Sequence, residues 1–211
     1  MKMVATWQLI TFVLCLSVLV VIAMVSVLFQ VKVSTMTRDV TAIANIHPLS
    51  GILSNLGILL WCAAASVCFF TAMILRHAQT RETFWFLLFS ALLTSYLLLD
   101  DFFLFHEELI PQHLGLDEEI IFLVFGVVVS THFIVFRQVI WRTNFGVLLL
   151  ALGFLMTSIV IDIFLESWLL QRLDHWEFFL EDGAKWLGIA SWCSYYMRTS
   201  HQFLVSILKI L

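Results

Sequence analysis

The sequence predicts an all-α fold: a polytopic membrane bundle of about six transmembrane helices, forming a single integral membrane domain over residues 1–211 with both termini cytoplasmic. Three observations lead there. The 211 residues are 62% hydrophobic and only 12% charged, with a mean hydropathy of +1.01, whereas a water-soluble domain carries about 25% charged residues. So few charges cannot cover a surface that faces water. The apolar residues gather in runs near the roughly 20 residues that cross a hydrocarbon core about 30 Å thick. Two prolines and eight glycines leave little chain for long irregular loops.

Six apolar runs lie near 5–29, 52–75, 83–105, 119–136, 145–166 and 178–197. The first follows Met1-Lys2 but is much longer than the 7–15 apolar residues of a secretory signal, and no small-x-small cleavage pattern follows it, so it reads as a retained helix. Residues 30–51, rich in Thr, Ser and Asn, read as an interfacial helix or cap. The second and third runs are joined by "RHAQTRE" and the fourth and fifth by "RQVIWRTN". The third and fourth, and the fifth and sixth, are joined by short acidic loops.

The charges sort accordingly. Lys2, Arg76, Arg81, Arg137, Arg142, Arg198 and Lys209 fall on one side with Glu82 as its only acid, while the other fourteen acids share the opposite side with Lys32, Arg38, Arg172 and Lys185. Short loops rich in Lys and Arg stay cytoplasmic, so the acidic loops are expected to be extracytoplasmic. A faint internal repeat also shows: "LTSYLLLDDFFLF" and "LDEEIIFLVFG" resemble "MTSIVIDIFLES" and "LEDGAKWLG", as in a parallel repeat of two helical hairpins, helices 3–4 and 5–6.

Some functions are excluded early. No basic patch exists, so no nucleic-acid partner is expected. The four cysteines lie inside apolar runs without a CxxC pair, and read as free thiols rather than a disulfide framework or metal knuckle.

The chemistry concentrates at the outer ends of the runs. At 1.5 Å per residue, Asp100 and Asp101 lie about 26 Å along the third run from Thr83, close to the outer edge of the hydrocarbon. Asp162 lies at a similar depth in the fifth run, and Glu177, Glu181, Asp182 and Lys185 open the sixth. A charge facing lipid there would cost on the order of 2.5–3.5 kcal/mol, so these groups should turn inward. Glu177, Glu181 and Lys185 are spaced i, i+4, i+8 and share a face that continues to Gly188 and Trp192; Asp100 with Glu107, and Asp162 with Glu166, are placed likewise. Lys185 can pair with Glu181 or Asp182 in its own helix.

Clustered carboxylates cannot all ionise cheaply, so they need a cation or shared protons. Carboxylates and imidazoles inside a bundle are ligands for a divalent or transition metal such as zinc, iron, manganese or copper. The candidate ligands are Asp100, Asp101, His106, Glu107, Glu119, Asp162, His175, Glu177, Glu181 and Asp182, with Lys185 pairing charge and with Asp101, His106, Asp162, Glu181 and Asp182 as the expected centre. "HEELIPQH" is not an HExxH motif, and no EExxH or HxxxH motif occurs. The leading expectation is a metal-dependent, membrane-embedded protein that acts on a lipid or small apolar substrate. Two alternatives use the same residues. A non-catalytic subunit or a lipid- or pigment-binding scaffold would explain the eight tryptophans and twenty phenylalanines. A proton- or cation-coupled transporter would use the buried acids, although the polar residues stop about halfway across. His132, following Ser130-Thr131 inside the fourth run, reads as a hydrogen-bonded packing histidine.

Overall fold

The computed structural model describes residues 2–76, 81–115, 118–173 and 176–208. It is helical throughout, with no strand among the described residues. Two compact units divide the chain, Met1–Ser50 and Gly51–Leu211.

The first unit holds α1 (Lys2–Leu28) and two short helices, α2 (Val33–Thr37) and α3 (Val40–Ala44). They fill the stretch expected to carry an interfacial helix or cap. α1 ends where Gln30 takes a positive φ of 56°, and the Ser26 hydroxyl donates to the Val31 carbonyl across that bend. Asp39 caps α3 by accepting from the backbone N–H groups of Thr41 and Ala42, as acids do at helix starts. The Thr41 hydroxyl and these N–H groups hold the Asp39 carboxyl below its ordinary value of 3.8.

The second unit holds the remaining helices. α4 (Ile52–Leu75) and α5 (Arg81–Phe103) are followed by a π-helical turn, π1 (Phe105–Leu109), and then α6 (Ile110–Leu114). Next come α7 (Glu118–Val135), α8 (Arg137–Ile140) and α9 (Phe145–Val160). A second π-turn, π2 (Ile161–Leu165), leads to α10 (Glu166–Leu173) and the long α11 (Trp176–Leu208). Among the described residues, three segments are long and apolar enough to cross a membrane, Ile52–Leu75, Arg81–Phe103 and Phe145–Leu165, while the apolar parts of α1 and α7 are shorter. α11 has 33 residues and a much more polar composition.

Four helices build the core: α4 packs on α5 and α11, and α11 packs on α9. α4 contributes Trp61, Ala64, Cys68 and Ala72, a stripe at helical spacing, and α11 contributes Ile189, Trp192, Cys193 and Tyr196. Small residues allow close approach, the usual solution where lipid supplies no hydrophobic drive. A Cβ on Gly188 would lie 2.7 Å from Leu155 Cγ and 3.0 Å from the Leu155 backbone nitrogen, so α9 and α11 touch nearly backbone to backbone there. The four cysteines are free thiols.

Two local features depart from the sequence reading. The third run was expected to stay helical to residue 105, but α5 stops at Phe103 because Leu104 adopts φ 53°, a left-handed conformation that L-residues other than Gly seldom take. Gly115 ends α6 in the same conformation with φ 63°, the ordinary glycine stop. In the fifth run π2 widens the helix, which then continues to Leu173, where the Arg172 guanidinium stacks over Trp168 at 4.5 Å. π1 begins at Phe105, well after Thr94-Ser95, whereas π2 begins at Ile161, one turn after Thr157-Ser158.

A candidate functional site of buried acids

Asp100 and Asp101 end α5 on neighbouring residues and therefore point about 100° apart around its axis. The two carboxylates have different partners. Asp101 accepts from Trp61 Nε1–H on α4 at 2.7 Å and pairs with Lys185 Nζ on α11 at 2.9 Å. Asp100 turns to π1: its Oδ2 lies 2.7 Å from His106 Nδ1 and its Oδ1 accepts from the His106 backbone N–H at 3.2 Å. Both Asp100 and His106 are buried. The reversal at Leu104 is what brings His106 back onto Asp100, and the imidazole then packs on Phe122 of α7, ring centroids 5.1 Å apart.

A second pair of residues ties α5 to α11. Trp192 Nε1–H donates to the Thr94 hydroxyl at 3.0 Å, and Trp61 bridges the two ties, since its ring also meets Trp192 edge to face at 5.8 Å. Thr94 and Asp101 are seven residues apart on α5, as are Trp192 and Lys185 on α11. The helices therefore run antiparallel, with two side-chain rungs about 10 Å apart. Asp101 and Lys185 form the rung nearer the acidic ends.

Around that rung the carboxylates gather. Glu181 interacts electrostatically with Asp162 on π2, with Asp182 and Glu177 on its own helix, and with Lys185. Asp182 also interacts with Lys185. Glu177 is fully buried, and Glu181 and Asp162 are half-buried. The face shared by Glu177, Glu181, Lys185, Gly188 and Trp192 thus does turn inward. Asp182, one residue beyond Glu181, is exposed at the rim. Lys185 makes an ion pair across the bundle with Asp101, the carboxylate that Trp61 also orients, besides its interactions with Glu181 and Asp182 on its own helix.

The left-handed turn at Leu104 falls between Asp100 and Glu107 in the chain. The side chains of Glu107, Glu119 and Glu166, and all of His175, lie outside the described residues. Among the described residues, no group of three or more His, Cys, Asp or Glu is arranged to hold a metal ion. Trp61 and Thr94 were missed by the sequence reading. A tryptophan and a threonine in apolar spans carry no signal until a partner from another helix reaches them.

His132 behaves as the packing histidine anticipated. Its Nε2 lies 3.2 Å from the Ser90 hydroxyl, and its ring stacks on Phe86 and meets Phe136.

No curated protein and no solved structure matches the chain. A family profile does match, over residues 12–199. These residues include α4, α5, π1, π2 and the acid-bearing start of α11. The chain belongs to the family described as "Domain of unknown function (DUF8692)".

Proposed function

We propose that the protein is a multi-pass membrane protein whose working part is the acid pocket of Asp101, Asp162, Glu177, Glu181 and Lys185. The pocket holds a cation and meets the polar end of a lipid or small apolar substrate. One observation carries this reading: among the described residues, Lys185 is a cation that Asp101, Glu181 and Asp182 share, while Asp162 and Glu177 add to the negative charge felt by Glu181. Such an excess requires bound protons or a further cation. In this reading the chain crosses the membrane six times with both termini inside, and the pocket opens outward. The offset of π1 and π2 from their Thr-Ser pairs weighs against a parallel repeat of hairpins.

A divalent or transition metal is one form of that cation. Asp162 and Glu181 would supply two ligands, and a third would have to come from Glu107, Glu119 or His175. Elemental analysis of the purified protein beside Asp162→Asn and Glu181→Gln variants tests this. Stoichiometric metal in the parent that is lost from both variants supports the metal form. A folded, metal-free parent after reconstitution with zinc, iron, manganese or copper ends it, and the acids then share protons.

A further inference from the structure

Between α5 and α7 lies a cavity of about 780 Å³, within the range of ligand sites. Phe89, Leu92 and Tyr96 line it from α5, and Val124, Val128 and His132 from α7. It reaches from Ile120 to Val135 along α7, about 22 Å at 1.5 Å per residue. Among the described residues, α7 packs mainly on α5, π1 and α8, and Val124 and Val128 remain 58% and 48% exposed.

The interior asks for hydrocarbon. Thr131 donates its hydroxyl to the Val127 carbonyl, and His132 is engaged with Ser90. Tyr96 adds a hydroxyl toward the end nearer Asp100, and the basic charge lies at the opposite end. Arg137 directly follows Phe136, the last lining residue, and is exposed. Arg81 heads α5 on the stripe of Trp85, Phe89, Leu92 and Tyr96, and is also exposed. A long apolar slot with two arginines beyond the same end matches an anionic amphiphile in both hydropathy and charge, since basic pockets between membrane helices favour anionic headgroups.

We propose that this cavity binds one acyl chain of an anionic phospholipid, with its phosphate held at Arg137 and Arg81. The site is separate from the acid pocket and rests on the reading of this chain as a membrane protein.

The test uses the full-length protein in detergent, titrated with phosphatidylglycerol or phosphatidylcholine and read by native mass spectrometry. The parent should retain phosphatidylglycerol over phosphatidylcholine. Arg137→Gln and Arg81→Gln should each lower phosphatidylglycerol affinity about fivefold and leave phosphatidylcholine unchanged. Val128→Trp, which fills the slot from an exposed position, should lower binding of both lipids. Equal retention of the two lipids by the parent would overturn the proposal, as would an unchanged preference in the arginine variants. A Val124→Cys variant that cross-links to a second copy through position 124 as readily with lipid as without it would also overturn it, because the slot would then be a contact between chains. Failure of the protein to enter phospholipid nanodiscs at all would instead count against the membrane reading on which both proposals stand.

Discussion

Lys185 on α11 and Asp101 on α5 meet at 2.9 Å across the bundle, and Asp101 also receives the indole N–H of Trp61. The lysine side chain keeps 32% of its surface exposed and the aspartate 10%, so the pair lies between the surface and the deep interior. Exposed pairs contribute about 0–1 kcal/mol, whereas removing one partner of a buried pair costs about 3–5 kcal/mol. Asp101→Asn or Lys185→Met should each destabilise by about 2 kcal/mol. The double variant should be less destabilised than the sum of the two. Thermal unfolding in detergent reads this as a Tm loss of about 4–8 °C per single variant, and strict additivity would refute the pairing.

Trp61→Phe keeps an aromatic ring against Trp192 but removes the donor to Asp101. A hydrogen bond to a charged group contributes about 1.5–3 kcal/mol, and a loss in that range is expected. Introduced with Asp101→Asn, the same change should add less than it does alone, which a double-mutant cycle measures directly.

Gly188 and Gly153 offer a contrast within the packed helices. A methyl on Gly188 collides with Leu155, whereas one on Gly153 meets nothing within 4 Å. Gly188→Ala should lower stability by about 1–3 kcal/mol. Gly153→Ala should be neutral or raise it by up to about 1 kcal/mol. Equal Tm values for the two variants would contradict the close contact of α9 and α11.

Leu104 holds the left-handed turn between α5 and π1. Glycine relieves a strain of about 1–2 kcal/mol in that conformation, so Leu104→Gly should raise Tm or leave it unchanged. Leu104→Val, with a branched Cβ, should lower it. A marked loss of stability in the glycine variant would show that the turn is held by the leucine side chain.

The Asp39 cap has a definite pH dependence. Its carboxyl is held below 3.8 in the folded chain, so its stabilisation of α3 is complete above that value and fades as the pH falls through the lower folded value. The carboxyl carbon of Asp39 and the amides of Thr41 and Ala42 should titrate together by NMR below pH 3.8. Asp39→Asn should abolish the titration while keeping the cap. Amides that titrate above 3.8 would reverse the assigned direction.

How much of this was written in the residues differs from element to element. The helices occupy the six apolar runs because hydrophobic length is a local property. The inward face of Glu177, Glu181, Lys185, Gly188 and Trp192 follows from 3.6-residue periodicity. The partner of Lys185 does not, since it depends on how α11 is rotated against α5 and α4. Leu104 gave no warning, because "FFLF" contains neither Gly nor Pro. The approach of His106 to Asp100 passes through a backbone conformation that leucine rarely adopts, so no local pattern announces it.

The two rungs, Thr94 with Trp192 and Asp101 with Lys185, have equal separations on the two helices. On α5 the chain between them is Ser95, Tyr96, three leucines and Asp100, and swapping one leucine for another aliphatic leaves both rungs in reach. Inserting or deleting a single residue between Thr94 and Asp101 is different. It turns the far end of α5 by about 100° and shifts it by 1.5 Å, moving Asp101 off both Lys185 and Trp61 in one step while barely changing hydropathy. Across this stretch natural variants should therefore drift freely in composition and hardly at all in length.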